Sequence, residues 1–216
     1  MIYLRVGLFA EGPTDYYFLL GILDLLVEEI AVELFAGGFQ LASAVGVDAP
    51  RALRDRPREE RVAAAIEASW EECTLFVVHA DGAGDAERAR REQTAPGIAR
   101  AFAVHGELSA VACVPVRETE AWMLADAGAF SRLFETKRVP TLPANPESES
   151  DPKKVLREAL VGMGARGVVT KYYAELGKET RPEELRKLPA FRRFEVDLRA
   201  AIVTVAGLGG STVGLR

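Results

Sequence analysis

The sequence predicts an α/β protein: a mainly parallel sheet flanked by helices, followed by a helical C-terminal extension. Three observations carry that reading. Short apolar, β-branched runs recur at Ile2 to Phe9, Thr74 to Ala80 and Leu108 to Val116. Between them lie longer stretches with helical spacing of apolar residues, and alternation of the two kinds is the signature of parallel strands joined by right-handed helical crossovers. From about Thr119 onward only helix-like segments follow. The expected division is therefore an α/β domain over 1–126, a helical extension packed on it over 127–205, and a flexible tail over 206–216.

Taken in order, Ile2 to Phe9 reads as a buried strand, and Pro13 to Leu34 as a helix whose proline suits the first turn. Its apolar residues cover most of the circumference, leaving Asp24, Glu28 and Glu33 on a narrow polar stripe, so it packs on more than one side. Phe39 to Val45 follows the Gly37-Gly38 break and reads as a second strand. A polar loop then leads into a helix from Arg58 to Glu72. Thr74 to Ala80 is the clearest strand, Glu87 to Val104 a helix, and Leu108 to Val116 a further strand. The proline- and serine-rich stretch Val139 to Pro152 is an exposed connection, with helices expected at Lys153 to Leu160, Val168 to Leu176 and Pro189 to Val205.

Composition narrows the function classes. With 216 residues, 49% of them hydrophobic, the chain suits one well-buried domain plus an extension. Its longest apolar run, Tyr16 to Leu23, is interrupted by Asp24, far short of the roughly 20 residues of a membrane span, and no leader-like segment opens the sequence. A soluble, cytoplasmic protein without a membrane partner is expected. Cys73 and Cys113 stand far apart beside strand-like runs, as core thiols rather than a disulfide or metal framework. A net charge of −5 argues against permanent packaging in nucleic acid but leaves room for a local basic groove.

The chemistry concentrates at strand ends. Open parallel sheets carry their sites beyond the carboxyl ends of the strands. Here the first strand ends at Glu11, the second clear strand at Asp81 with Asp85 four residues on, and the third at Arg117, Glu118 and Glu120. Acids delivered to one rim from three strands either repel one another or share a cation, and a hard divalent ion such as Mg²⁺ suits oxygen ligands. Singly, each has a plainer explanation. Glu11 before Gly12-Pro13 suits a turn or a helix start, Asp81 and Asp126 are good turn formers, and Asp85 suits a helix cap. His79 lies two residues before Asp81 on the same strand face, as a packed or hydrogen-bonded histidine or a proton carrier. His105 ends a helix, where a cation is favoured, and Ser211 has no basic partner. The phosphate-loop outline around Gly7 and Gly12 has Pro13 where its lysine belongs. Arg117 stands at the acidic rim, fit to pair with a carboxylate or a phosphate. Lys153 and Lys154 occupy a helix's first turn, where positive charge is disfavoured and a phosphate partner would account for them.

The segments EGPTD, HADGAGD, VPVRETEAWMLAD, DPKKVL and PAFRRFEVDLRAAI resemble the TOPRIM-like bacterial family known as domain-of-unknown-function family 4276, over most of the chain. The resemblance implies a TOPRIM fold, distantly similar to that of OLD-type nucleases. In that fold a glutamate after the first strand and an aspartate pair after a later strand bind Mg²⁺ or Mn²⁺ and promote phosphoryl transfer. Glu11 matches the glutamate and Asp81 the first aspartate. The family pattern spaces its aspartates by one residue, whereas the next acid here is Asp85, with Glu118 and Glu120 as further oxygen donors. The expectation is a metal-dependent nuclease acting on nucleic acid, in a setting such as phage defence. Glu11, Asp81 and Arg117 are its catalytic candidates; Glu11, Asp81, Asp85, Glu118 and Glu120 its metal candidates; Arg117, Lys153 and Lys154 its phosphate-binding candidates. The alternative is a TOPRIM-shaped partner of an ATPase or other protein that no longer turns over substrate.

Overall fold

The computed structural model describes residues 2–211, with side chains through Gly207. The first apolar run forms two short strands, β1 (Ile2–Leu4) and β2 (Val6–Phe9), interrupted at Arg5. The interruption is bridged from the neighbouring strand: Arg5 N–H donates to Thr74 Oγ1 at 3.0 Å, and Thr74 N–H donates to Arg5 O at 3.0 Å. Helix α1 (Pro13–Leu34) returns the chain to β3 (Phe39–Leu41) and β4 (Val45–Gly46). These two strands replace the single one expected from Phe39 to Val45. They are separated where Asp24 of α1 accepts the Ala44 N–H at 2.7 Å. Helix α2 (Arg58–Ala68) leads to β5 (Leu75–His79). The next crossover is α3 (Ala86–Ala89), a wide turn over Arg90–Thr94 and α4 (Ala95–His105), and β6 (Ala110–Cys113) closes the sheet.

All strand pairs are parallel, and the main sheet runs β4-β2-β5-β6, with β1-β3 extending it at one end. Because the first strand lies between its successor and β5, the chain leaves it in one direction and comes back in the other. Right-handed crossovers then put α1 on one face and α2 with α4 on the opposite face. The strand pleat sorts side chains accordingly. Phe76 and Val78 join Val62, Ile66 and Ala101 under α2 and α4, while Leu75 and Val77 join the core under α1. Cys73 and Cys113 are buried free thiols, one in each core.

Beyond β6 the chain is helical: α5 (Thr119–Met123), α6 (Ala127–Leu133), α7 (Pro152–Met163), α8 (Tyr173–Glu179), α9 (Pro182–Leu185) and α10 (Pro189–Ser211). The expected extension is present, and it is one layer of the sheet's covering. Leu156, Leu176, Phe191, Phe194 and Ile202 share a single core with Leu8, Ile22 and Val77. The tail expected over 206–216 begins as the last turns of α10, and 212–216 lie outside the described residues. Among the described residues no helix is long and apolar enough to cross a membrane.

A close backbone crossing and a buried carboxylate are among the contacts that hold the extension in place. Helix α8 crosses α1 at Gly177, where an added Cβ would meet the Phe18 carbonyl oxygen at 2.4 Å, so the two backbones touch. Gly177→Ala is expected to destabilise the fold by about 1–3 kcal/mol through forced separation of the helices, read as a lowered thermal midpoint. Asp126, expected as a turn residue, is instead a buried clamp. It caps α6 through Gly128 N–H at 2.8 Å and accepts from Arg132 Nη2 at 2.8 Å and Arg181 Nε at 3.2 Å. Burial alone would raise its pKa, but the two arginines outweigh burial and hold the carboxyl below its ordinary value. A depressed folded-state pKa means the clamp's contribution is fully present above the unfolded carboxylate value of about 4 and is lost as pH falls through the lowered pKa. Asp126→Asn is therefore expected to destabilise at pH 7 by about 1–2 kcal/mol, a figure discounted for the exposed arginines, and to erase that part of the acid-side slope in denaturant titrations.

Candidate metal centre

Strands β2 and β5 are neighbours from which the chain departs in opposite directions, so the loops leaving their carboxyl ends rise side by side over a crevice. They touch: Glu11 Oε2 accepts the Asp81 N–H at 3.1 Å. Behind them Arg58, at the start of α2, donates to the His79 and Gln93 carbonyls, lies over the Phe9 ring, and sets Nη1 4.0 Å from Glu11 Oε2. The third strand end joins through backbone bonds, with Ala83 N–H donating to Arg117 O at 3.2 Å and Gly84 N–H to Val116 O at 2.8 Å. Gly82 allows this approach, because a Cβ there would sit 2.3 Å from the Pro115 carbonyl oxygen.

The innermost layer of the crevice is Asp15, His79 and Asp81. Asp15 is the third residue of α1, and its Oδ2 turns back to accept the Gly12 N–H at 2.9 Å, satisfying a donor left open at the helix start. His79 follows Leu75 and Val77 on the α1 side of β5 by the two-residue period of a strand, and its side chain is 0% exposed. Its Nδ1 lies 3.8 Å from Asp15 Oδ2, and its Nε2 lies 3.6 Å from Asp81 Oδ1 and 3.0 Å from Thr119 Oγ1. One ligand atom from each of Asp15, His79 and Asp81 lies within 4.8 Å of the others, so the group can hold a metal ion.

Two features of the group fit a cation. His79 Nδ1 and Asp81 Oδ1 are buried without a hydrogen-bond partner, and a polar atom left so costs about 1–3 kcal/mol. The titration behaviour points the same way. Burial first, then the charges of Asp15 and Glu11, push Asp81 up to about 7, while burial lowers His79 despite the two acids beside it. Negative charge out of water is thus in excess, and a divalent ion relieves it without protonating a carboxylate.

The other residues expected at the rim take varied positions. Asp85 is exposed and caps α3 by accepting the Arg88 N–H at 2.9 Å; it is not in the three-residue group. Glu118 faces Lys153, at 3.2 Å. Lys153 therefore has an anion within the fold, and burial, which lowers its pKa, is outweighed by Glu120 and Glu118, which raise it. Glu120 is buried, its carboxyl pushed up chiefly by burial, and after burial it is the largest influence raising the pKa of Tyr173 of α8. Lys154 is exposed, its N–H donating to the helix cap Asp151. Arg117 is half-buried, and among the described residues its side chain has no salt bridge. Sequence reasoning missed Asp15 as a participant and gave His79 a lesser part. The available signals were the third-residue position after Gly12 and the two-residue step from His79 to Asp81. Comparisons of the chain with protein-family models, with curated proteins and with solved structures return no match.

If the group binds an ion, Mn²⁺ added to metal-free protein raises the thermal midpoint, with about 2.7 kcal/mol gained at a concentration one hundred times the dissociation constant. Asp15→Asn and Asp81→Asn are expected to abolish the rise. An equal rise in these variants would place the ion elsewhere.

Proposed function

We propose that the chain is a divalent-metal-dependent phosphoryl-transfer enzyme acting on nucleic acid, a TOPRIM-like nuclease. The observation that supports it most is the contact between Glu11 and Asp81 across adjacent strand ends, above a group able to hold a metal ion. The rim is open, with Glu11 43% and Asp81 26% exposed at their side chains, and an open acidic rim suits an extended polymer better than an enclosed small molecule. Asp15, His79 and Asp81 would hold Mg²⁺ or Mn²⁺. When bound, such an ion supplies charge neutralisation to a phosphoryl oxygen and acidifies a water.

The chain's own side chains account for the remaining tasks. Asp81, whose carboxyl is pushed up to about 7 by burial and by Asp15 and Glu11, would be held ionised by a bound cation and so serve as a ligand. Glu11 is oriented by the Asp81 N–H and faced by the Arg58 guanidinium. Its position after the first strand is where the resemblance to the TOPRIM-like family expects a glutamate. Lys153, which lowers the Asp81 pKa only in part and is paired with Glu118, and Arg117 on the adjoining loop would supply positive charge for a phosphate.

Plasmid, single-stranded DNA and RNA incubated with Mg²⁺ or Mn²⁺ test the reading. Cleavage by the parent, reduced at least about 100-fold in Asp81→Asn and Glu11→Gln, is the expected result. Absence of cleavage of all three substrates would sink it. One observation favours a second reading, a non-catalytic partner of an ATPase or other protein: Asp85 is a helix cap and Glu118 is paired with Lys153, which thins the oxygen ligands at the rim. Ion binding without cleavage is the outcome that selects it.

A further inference from the structure

The deepest member of the proposed metal group is an imidazole, whereas sites made for Mg²⁺ are built of oxygen. We propose that His79 is itself a metal ligand through Nδ1, with Thr119 holding the Nε2–H tautomer, so that the site binds an imidazole-favouring first-row ion such as Zn²⁺ or Co²⁺ more tightly than Mg²⁺. The inference rests on reading Asp15, His79 and Asp81 as a metal group and is independent of the reaction proposed for it.

Ligation through Nδ1 requires the Nε2–H tautomer, and the surroundings of the ring accommodate it. Nε2 is 3.0 Å from Thr119 Oγ1, a hydrogen-bonding distance, and Thr119 is fully buried in the first turn of α5. Nδ1 has no hydrogen-bond partner. A proton on Nδ1 would be left unshared, since Asp15 Oδ2 at 3.8 Å is beyond hydrogen-bond reach. A proton on Nε2 is shared with Thr119 and leaves the Nδ1 lone pair facing the Asp15 carboxylate. Two such lone-pair donors face each other favourably across a shared proton or a metal ion, and the second is the case proposed. Metal–ligand bonds of about 2.0–2.2 Å put two ligands of one ion roughly 3–4 Å apart, which accommodates the Nδ1 to Oδ2 separation. Asp15 is held in that posture by the Gly12 N–H, while the unpartnered Oδ1 of the third donor, Asp81, lies 3.6 Å from Nε2. Thr119 is thus a positioning residue that acts on the ion through the ring, and partners of this kind typically change metal affinity 10–100-fold.

The chain has two histidines, which makes the direct test simple. In protein labelled with ¹⁵N-histidine, Zn²⁺ is expected to shift Nδ1 of His79, leaving Nε2 protonated. His105, stacked on Trp70 and bonded to Glu67, serves as an internal control. In calorimetric titrations His79→Gln should weaken Zn²⁺ at least about 10-fold while changing Mg²⁺ less than about 3-fold, and Thr119→Val should weaken Zn²⁺ by about 10-fold or more. A Zn²⁺ shift on Nε2 or on neither ring nitrogen of His79 would overturn the proposal, and this readout on the parent stands even if a variant fails to fold. Mg²⁺-dependent cleavage without a histidine shift defeats this inference and leaves the nuclease reading; a Nδ1 shift without cleavage does the reverse.

Discussion

The structure depends on one electrostatic constraint: two aspartates and a buried imidazole share a crevice where water screens them only in part. Asp15 reaches it from the first turn of α1, and His79 and Asp81 from the end of β5. Like charges gathered in this way are unfavourable by themselves, and burial first, then the charges of Asp15 and Glu11, raises the Asp81 pKa. The surrounding framework holds them there regardless. Parallel pairing of β2 with β5 fixes the two loops side by side, Gly12 fixes Asp15, and Thr119 fixes His79.

That framework reaches well beyond the sheet. The helices after β6 complete the core under α1, with α8 crossing α1 backbone to backbone at Gly177 and α10 packing against β6. Glu120 and Tyr173 link α5 to α8 close to the crevice, so the helical layer supports the same group that the strand ends deliver. A groove of about 860 Å³ between α4, β6 and α10 has none of these residues in its wall.

Much of the fold was legible in the sequence because periodicity reports burial. Thr74 to Ala80 reads as the clearest strand, and β5 lies there, buried throughout. The breaks at Arg5 and between β3 and β4 were not legible, since they arise from long-range bonds to Thr74 and Asp24. At the site, strand-end position identified Glu11 and Asp81, which do meet. Position could not separate a capping acid from a ligand: Asp85 fits both by composition, and only the Arg88 N–H contact distinguishes them. Asp15 was hidden for the converse reason. An acid in a helix's first turn is accounted for by the helix itself, and its proximity to His79 depends on where α1 sits against β5.

The central claim is that this group binds a divalent ion. Crystals grown without metal, soaked in Mn²⁺ and measured at a wavelength where manganese scatters anomalously, address it directly. The account predicts an anomalous peak within bonding distance of side-chain atoms of Asp15, His79 and Asp81. A crevice without a peak, while Mn²⁺ occupies other acidic residues of the same crystal, would contradict it.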